Sequence, residues 1–284
     1  IQLIAAAIPV VFGNLRIELI TNPNLFSGEL YVKFGALAIP ITIIWIVAIT
    51  NAVNLIDGLD GLAVGVSAIA CMTMLAVSLL IGEVPIAILL AVLAGACVGF
   101  MPFNLNPASI FMGDTGSTFL GFMLATLSIQ GMFKVYAIIS FAVPFLILGL
   151  PIFDTAFAFT RRILSGRSPF SPDRGHVHHR LIDMGFNQKQ TVAILYIIST
   201  VLGLLAVVLT TSGEYRAIVM VLVVLITCVV GGGIYLSAER RKMKLHEQKL
   251  HELNQQESEQ QKIAEQTQDT DDTSDRGGFD NEDN

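Results

Sequence analysis

Apolar residues occur along this chain in runs too long to be one face of a soluble helix. The runs fall at 1–13, 34–50, 62–81, 85–101, 115–131, 136–158, 191–210 and 217–236. About 20 residues, at about 1.5 Å rise each, cross the hydrocarbon of a bilayer. The pattern therefore predicts an all-α polytopic membrane protein with about eight transmembrane helices, forming a membrane domain over 1–236. Between the first two runs, Arg16-Ile17-Glu18-Leu19-Ile20 and Glu29-Leu30-Tyr31-Val32-Lys33 flank Asn22-Pro23-Asn24. That predicts a small β-hairpin over 15–33, outside the membrane. Pro144, Gly149 and Pro151 interrupt the 136–158 run, and a broken helix at membrane depth is tolerated where it lines a cavity. Residues 237–266 mix Lys and Glu at helical spacing and predict a cytoplasmic helical extension. The acidic stretch 267–284 predicts a disordered tail. The first run opens at Ile1 in mid-pattern, without Met, basic flank or cleavage site. It reads as a truncated start with residues missing upstream, not as a signal peptide.

Composition agrees with this class: the 284 residues are 53% hydrophobic and 14% charged. The net charge of −6 is a property of the tail. Up to Leu236 there are ten Lys/Arg and ten Asp/Glu, whereas 251–284 holds eleven acids against Lys262 and Arg276. Nothing here selects a nucleic acid as partner. Cys71, Cys97 and Cys228 lie inside apolar runs and read as packing residues. Cationic residues fix the orientation. The 159–190 loop carries Arg161, Arg162, Arg167, Arg174, Arg180 and Lys189, and the tail opens with Arg240-Arg241-Lys242. By the positive-inside rule these are cytoplasmic. Counting back through the helices places 51–61 and 102–114 on that same face.

The polar residues on this face are the candidate chemistry. Residues 51–61 read Asn-Ala-Val-Asn-Leu-Ile-Asp-Gly-Leu-Asp-Gly between two apolar runs. A buried anion is costly unless a cation or hydrogen-bond donors meet it, so ionisable groups beside hydrocarbon are functional by default. Asp57 and Asp60 are three apart, hence on one face if the segment is helical. A second cluster, Phe111-Met112-Gly113-Asp114-Thr115-Gly116-Ser117, precedes the 115–131 helix. Asp114 there reads either as an N-cap or as part of a phosphate-binding helix start. A third cluster begins at Asp154-Thr155 and continues through Arg161-Arg162 to Asp173-Arg174-Gly175-His176-Val177-His178-His179-Arg180. Guanidinium groups grip phosphates and imidazoles donate to them. Topology alone also explains the arginines; it explains the histidines less well. The histidines have no cysteine partners and lie beside carboxylates, so Mg²⁺ fits better than zinc, with Mn²⁺ as substitute. One face thus offers carboxylates for a hard cation and arginines for phosphate, in a frame open to lipid. That points to metal-dependent transfer of a phosphorylated group to a lipid acceptor.

These strings resemble the polyprenyl-phosphate N-acetylhexosamine-1-phosphate transferase family, of the MraY, WecA and TagO types. The matching segments are 51–63, 111–117, 151–155 with Arg161-Arg162, and 168–180, in the family's order across nearly the whole membrane portion. The resemblance implies that undecaprenyl phosphate attacks the β-phosphorus of a UDP-amino sugar and releases UMP. It implies Asp114 and Asn54 as the metal residues, Asp114 foremost, and Asp57 and Asp60 as groups that bind or activate substrate. Asn51 would face substrate with Asn54. Phe111 would stack on uracil, and Arg161, Arg162, His176, His178, His179 and Arg180 would contact phosphate and sugar.

Two departures are visible. The Asp-Asp pair that the family carries upstream is absent, in keeping with missing residues or with an inactive chain. The MurNAc-pentapeptide branch shows three consecutive histidines, whereas His-Val-His-His resembles the UDP-GlcNAc branch and, through the acidic tail, the teichoic-acid-initiating type. The expectation is therefore GlcNAc-1-phosphate transfer from UDP-GlcNAc to undecaprenyl phosphate in a bacterial cell membrane. The alternatives are the phospho-MurNAc-pentapeptide reaction or, in another class, a cation-coupled transporter. The patterns leave oligomeric state open, a homodimer included.

Overall fold

A computed structural model describes residues 1–21, 31–131, 139–166, 168 and 176–211, all within the unit that spans Ile1–Gly231. The expected helix at 217–236, the extension, the tail, Cys228, the hairpin tip and 169–175 lie outside the described residues. The chain runs α1 (Gln2–Val11), β1 (Leu19–Thr21), β2 (Tyr31–Lys33), α2 (Ala38–Leu55), α3 (Leu62–Leu80) and α4 (Val84–Asn104). It continues through α5 (Gly113–Gly131), α6 (Ile139–Ile147), α7 (Gly149–Leu164), α8 (Val177–Asp183) and α9 (Gln188–Thr210). The two strands pair antiparallel with Ile20 opposite Val32.

Among the described residues, four helices are long and apolar enough to cross a membrane: Gly35–Leu55, Leu62–Leu80, Val84–Asn104 and Gln188–Thr210. This is a helical membrane protein. Its helices are apolar on both sides: Ile46, Ile49, Met74, Leu90 and Leu124 are fully buried, while Ile44, Ile88 and Val92 face outward. An outward apolar surface of this kind suits lipid rather than water. α5, expected as a span at 115–131, is 19 residues long but less apolar. It packs against α2 and α3, and its Ser117 and Ser128 are buried. The α2–α5 contact is close because Gly121 lacks a side chain: a β-carbon there would lie 2.7 Å from Thr50 Cα. In α2, Trp45 Nε1 donates to Ser128 Oγ at 3.2 Å.

The expected helix at 136–158 is two helices that meet at Leu148. Pro151 has no N–H for the Ile147 carbonyl, so the ladder breaks there. α7 then continues to Leu164, where Ser165 and Gly166 (φ +66°) end it. Arg161 and Arg162 therefore belong to the last turn of a helix and not to a loop. Cationic side chains at that end complement the helix dipole. α9 starts with a reciprocal cap: Gln190 N donates to Asn187 Oδ1 at 2.9 Å, and Asn187 N donates to Gln190 Oε1 at 3.2 Å. Cys71 and Cys97 are free and buried, as packing residues should be.

Candidate active site

The C-terminus of α2 and the N-termini of α3, α5 and α9 come together at one end of the molecule with the C-terminus of α4. Residues 56–61, which link α2 to α3, are turns. The helical face anticipated for Asp57 and Asp60 is thus not formed, and the two carboxyl groups take different surroundings. Asp60 Oδ2 accepts bonds from Asn106 Nδ2 (3.0 Å) and Ala108 N (3.2 Å) in the α4–α5 loop. Asn106 Nδ2 also donates to Gln188 Oε1 of α9 at 2.8 Å. Buried Asn104 accepts Gly61 N at 3.2 Å and donates to Ile110 O at 2.9 Å. Tyr196 Oη donates to Gly61 O from the other side. Gly61 takes φ +81°, a conformation few side chains allow. The turn is thereby tied to α4, the α4–α5 loop and α9.

Asn54, on the last turn of α2, donates Nδ2 to Asp114 Oδ1 (3.2 Å) and to Ser117 Oγ (2.8 Å). Asp114 is in the first turn of α5 rather than ahead of it, and its backbone oxygen accepts from Thr118 Oγ1 at 2.5 Å. Half-buried Asp57 has its carboxyl pKa pushed up to about 6, by burial first and then by the negative charge of Asp114 and Asp60. The Asp57, Asp60 and Asp114 carboxyl groups thus share one neighbourhood, close enough that the charges of Asp114 and Asp60 disfavour ionisation of Asp57. Among the described residues, no three His, Cys, Asp or Glu side chains converge as a complete metal site. The donor set instead suits a hard cation that takes one or two protein oxygens and completes its shell with water and phosphate. Asp114 and Asp57 offer carboxyl oxygens, and Asn54, donating through Nδ2, has only Oδ1 for a cation.

His178 and His179 lie on α8, a helix the apolar pattern does not show, and His176 is the residue that precedes it. His176 and His178 are buried and stacked with centroids 5.6 Å apart; His179 is 4.3 Å from His178. Burial, His179 and His176 lower the His178 pKa to about 4 against the opposing pull of Asp154, so His178 is neutral at physiological pH. A β-carbon at Gly58 would lie 2.5 Å from His178 Nε2. His178 therefore packs directly on the turn that carries Asp57. Arg180 stacks on Phe157 of α7 at 4.7 Å. Phe111 is 75% exposed at the rim of an apolar cavity of about 270 Å³ that Phe100, Met112 and Phe119 also line.

Of the residues singled out in the sequence, Asn54, Asp57, Asp60, Asp114 and His178 thus meet. Asn51 does not join them: its Nδ2 donates to Gln2 Oε1 and Val47 O, both at 2.7 Å, and packs α2 on α1. Asn104, Asn106, Gln188 and Tyr196 were missed as parts of the site. The only local signal was the Asn104-Leu105-Asn106-Pro107 string, which ordinary loop chemistry also explains.

Residues 1–132 match the family model described as glycosyl transferase family 4. A probable undecaprenyl-phosphate N-acetylglucosaminyl 1-phosphate transferase of Bacillus subtilis (strain 168) is 40% identical over 223 residues, 78% of this chain and 62% of the relative. A decaprenyl-phosphate N-acetylglucosaminephosphotransferase of Mycobacterium tuberculosis (strain H37Rv) is 41% identical over 184 residues, 57% of this chain and 45% of the relative. A phospho-N-acetylmuramoyl-pentapeptide-transferase of Staphylococcus aureus (strain Newman) is 35% identical over 187 residues, 63% and 56%. The chain thus spans less than two thirds of the length of each of these relatives. The aspartate turn, the Asp114 helix start and the histidine helix are gathered at one end of a helical membrane frame, in a chain similar in sequence to these polyprenyl-phosphate N-acetylhexosamine-1-phosphate transferases.

Proposed function

We propose that the protein transfers GlcNAc-1-phosphate from UDP-GlcNAc to undecaprenyl phosphate, giving undecaprenyl-diphosphate-GlcNAc and UMP. The reaction would take place on the cytoplasmic face of a bacterial cell membrane, with the membrane domain over 1–236 crossing it about eight times. It would be the first membrane step toward a cell-wall polymer, teichoic acid on the strength of the sequence resemblance. The observation that carries this reading is the gathering of Asp57, Asp60 and Asp114 at one end of the helices, where burial first and then the other two carboxylates push the Asp57 pKa up to about 6. A site with that excess of negative charge is built to receive a cation together with an anionic substrate. The B. subtilis relative favours GlcNAc as the sugar.

Mg²⁺, when bound, would neutralise charge that builds on the departing UMP oxygens. Asp114 and Asp57 would hold it, with Asn54 orienting Asp114. Phe111, exposed at the rim of its cavity, offers a ring for the uracil. Neutral, buried His178 supports the Asp57 turn without adding charge, and half-buried His179 beside it offers a hydrogen bond to sugar or phosphate. The lipid phosphate is already anionic, so little deprotonation is required of the protein. A transporter puts such groups near the membrane midplane; here they sit at helix ends.

The discriminating experiment supplies membranes containing the full-length protein with undecaprenyl phosphate, Mg²⁺ and either UDP-GlcNAc or UDP-MurNAc-pentapeptide, and follows UMP. Release from UDP-GlcNAc supports the proposal. Release from the pentapeptide donor alone replaces it with the peptidoglycan reaction, and release from neither removes both.

A further inference from the structure

Asp154 lies in α7, nearly two turns beyond the break at Leu148, and is 3% exposed. Both of its side-chain oxygens are engaged, and both by the start of α8. Oδ1 accepts Val177 N–H at 2.7 Å and Oδ2 meets His176 Nδ1 at 2.9 Å. An ionised carboxyl group only accepts, so His176 would present Nδ1–H to it and keep Nε2 for another neighbour. His178 stacks on His176 and ends against Gly58, next to Asp57. α8 has seven residues, too few to hold a helix by themselves. Its position has to come from groups outside it, and Asp154 supplies two of them.

We propose that Asp154 is a positioning residue: it hangs α8 from α7 and thereby sets His178 against the Asp57 turn. The kinetic consequence rests on the transferase reading above; the structural one does not.

The test uses the full-length protein and treats it with diethyl pyrocarbonate, with labelled histidines identified by peptide mass spectrometry. In the wild type, half-buried His179 is labelled while buried His176 and His178 are protected. Asp154→Ala should raise labelling of His176 and His178 about tenfold, since neither tether remains. Val177→Pro removes only the donated N–H, at a helix start where proline is favoured. His176 precedes it with φ −61° and ψ 151°, which a following proline permits. This variant keeps the fold and should raise His178 labelling about threefold. Asp154→Asn keeps an acceptor for Val177 but turns an amide toward His176. It should leave His178 protected and lower kcat for UMP release about tenfold, with KM for the UDP-sugar unchanged. Unchanged protection of His178 in Val177→Pro and Asp154→Ala overturns the proposal, as does an Asp154→Ala enzyme with wild-type kcat. A wild type that releases no UMP defeats the transferase reading alone, because histidine protection still decides the role of Asp154.

Discussion

Asn54 donates its side-chain amide to Asp114, 60 residues further along the chain, at 3.2 Å. The bond joins the end of α2 to the start of α5 and fixes which Asp114 oxygen remains open to a cation. Asn54→Ala should leave the fold intact and raise the Mg²⁺ concentration needed for half-maximal UMP release about tenfold. A Mg²⁺ titration of the variant checks this, and a curve that overlays the wild type removes Asn54 from the site.

The raised pKa of Asp57 makes stability depend on pH in a definite direction. The folded chain holds this proton more tightly than the unfolded chain does, its pKa standing at about 6 against 3.8. The stabilisation is fully present below 3.8 and is lost as pH rises through about 6. Asp57→Asn never acquires the charge. Without divalent cation it should be more stable than the wild type near neutral pH, by about 1 kcal/mol after solvent screening at this half-exposed position. The gap should close below about pH 4. Thermal melts of detergent-solubilised protein with a chelator, taken across this pH range, measure it. Equal melting temperatures throughout contradict the crowded-carboxyl picture.

Gly58 is where the histidine helix rests on the aspartate turn, with room for no side chain: a β-carbon would be 2.5 Å from His178 Nε2. Gly58→Ala should displace α8, destabilise the protein by about 1–3 kcal/mol and lower kcat about a hundredfold. Melting temperature and UMP release in the same preparation test both parts.

Tyr196 reaches from α9 to the carbonyl of Gly61, across a contact close enough that a β-carbon at Gly65 would lie 2.0 Å from its ring. Tyr196→Phe keeps the ring and loses the bond, at a cost of about 1–2 kcal/mol. Amide hydrogen exchange should quicken over the turn at 56–61 and not in the centre of α3. A turn as protected as in the wild type contradicts the tether.

The elements legible in the sequence are those whose signal is local. Asp57 and Asp114 stood out because ionisable residues interrupt apolar runs, and α3, α4 and α9 because their own composition marks them. α7 was cut short because hydropathy ends at Thr160-Arg161-Arg162, while the backbone stays helical until Gly166 provides a stop. α8 was unreadable because seven residues rich in histidine show no apolar period. The pairing of Asn106 with Asp60 spans 46 residues and that of His176 with Asp154 spans 22. Such partners are set by how helices pack, and no spacing rule in the sequence names them.

In the proposed reaction Asp114 anchors a cation-dependent phosphoryl-transfer site shared with Asp57 and Asn54. UMP release from UDP-GlcNAc and undecaprenyl phosphate, compared between wild type and Asp114→Asn across a Mg²⁺ titration, tests it most directly. Turnover should require Mg²⁺ in the wild type and be absent at every Mg²⁺ concentration in a folded Asp114→Asn protein. Turnover without Mg²⁺, or near-normal turnover in the variant, would contradict it.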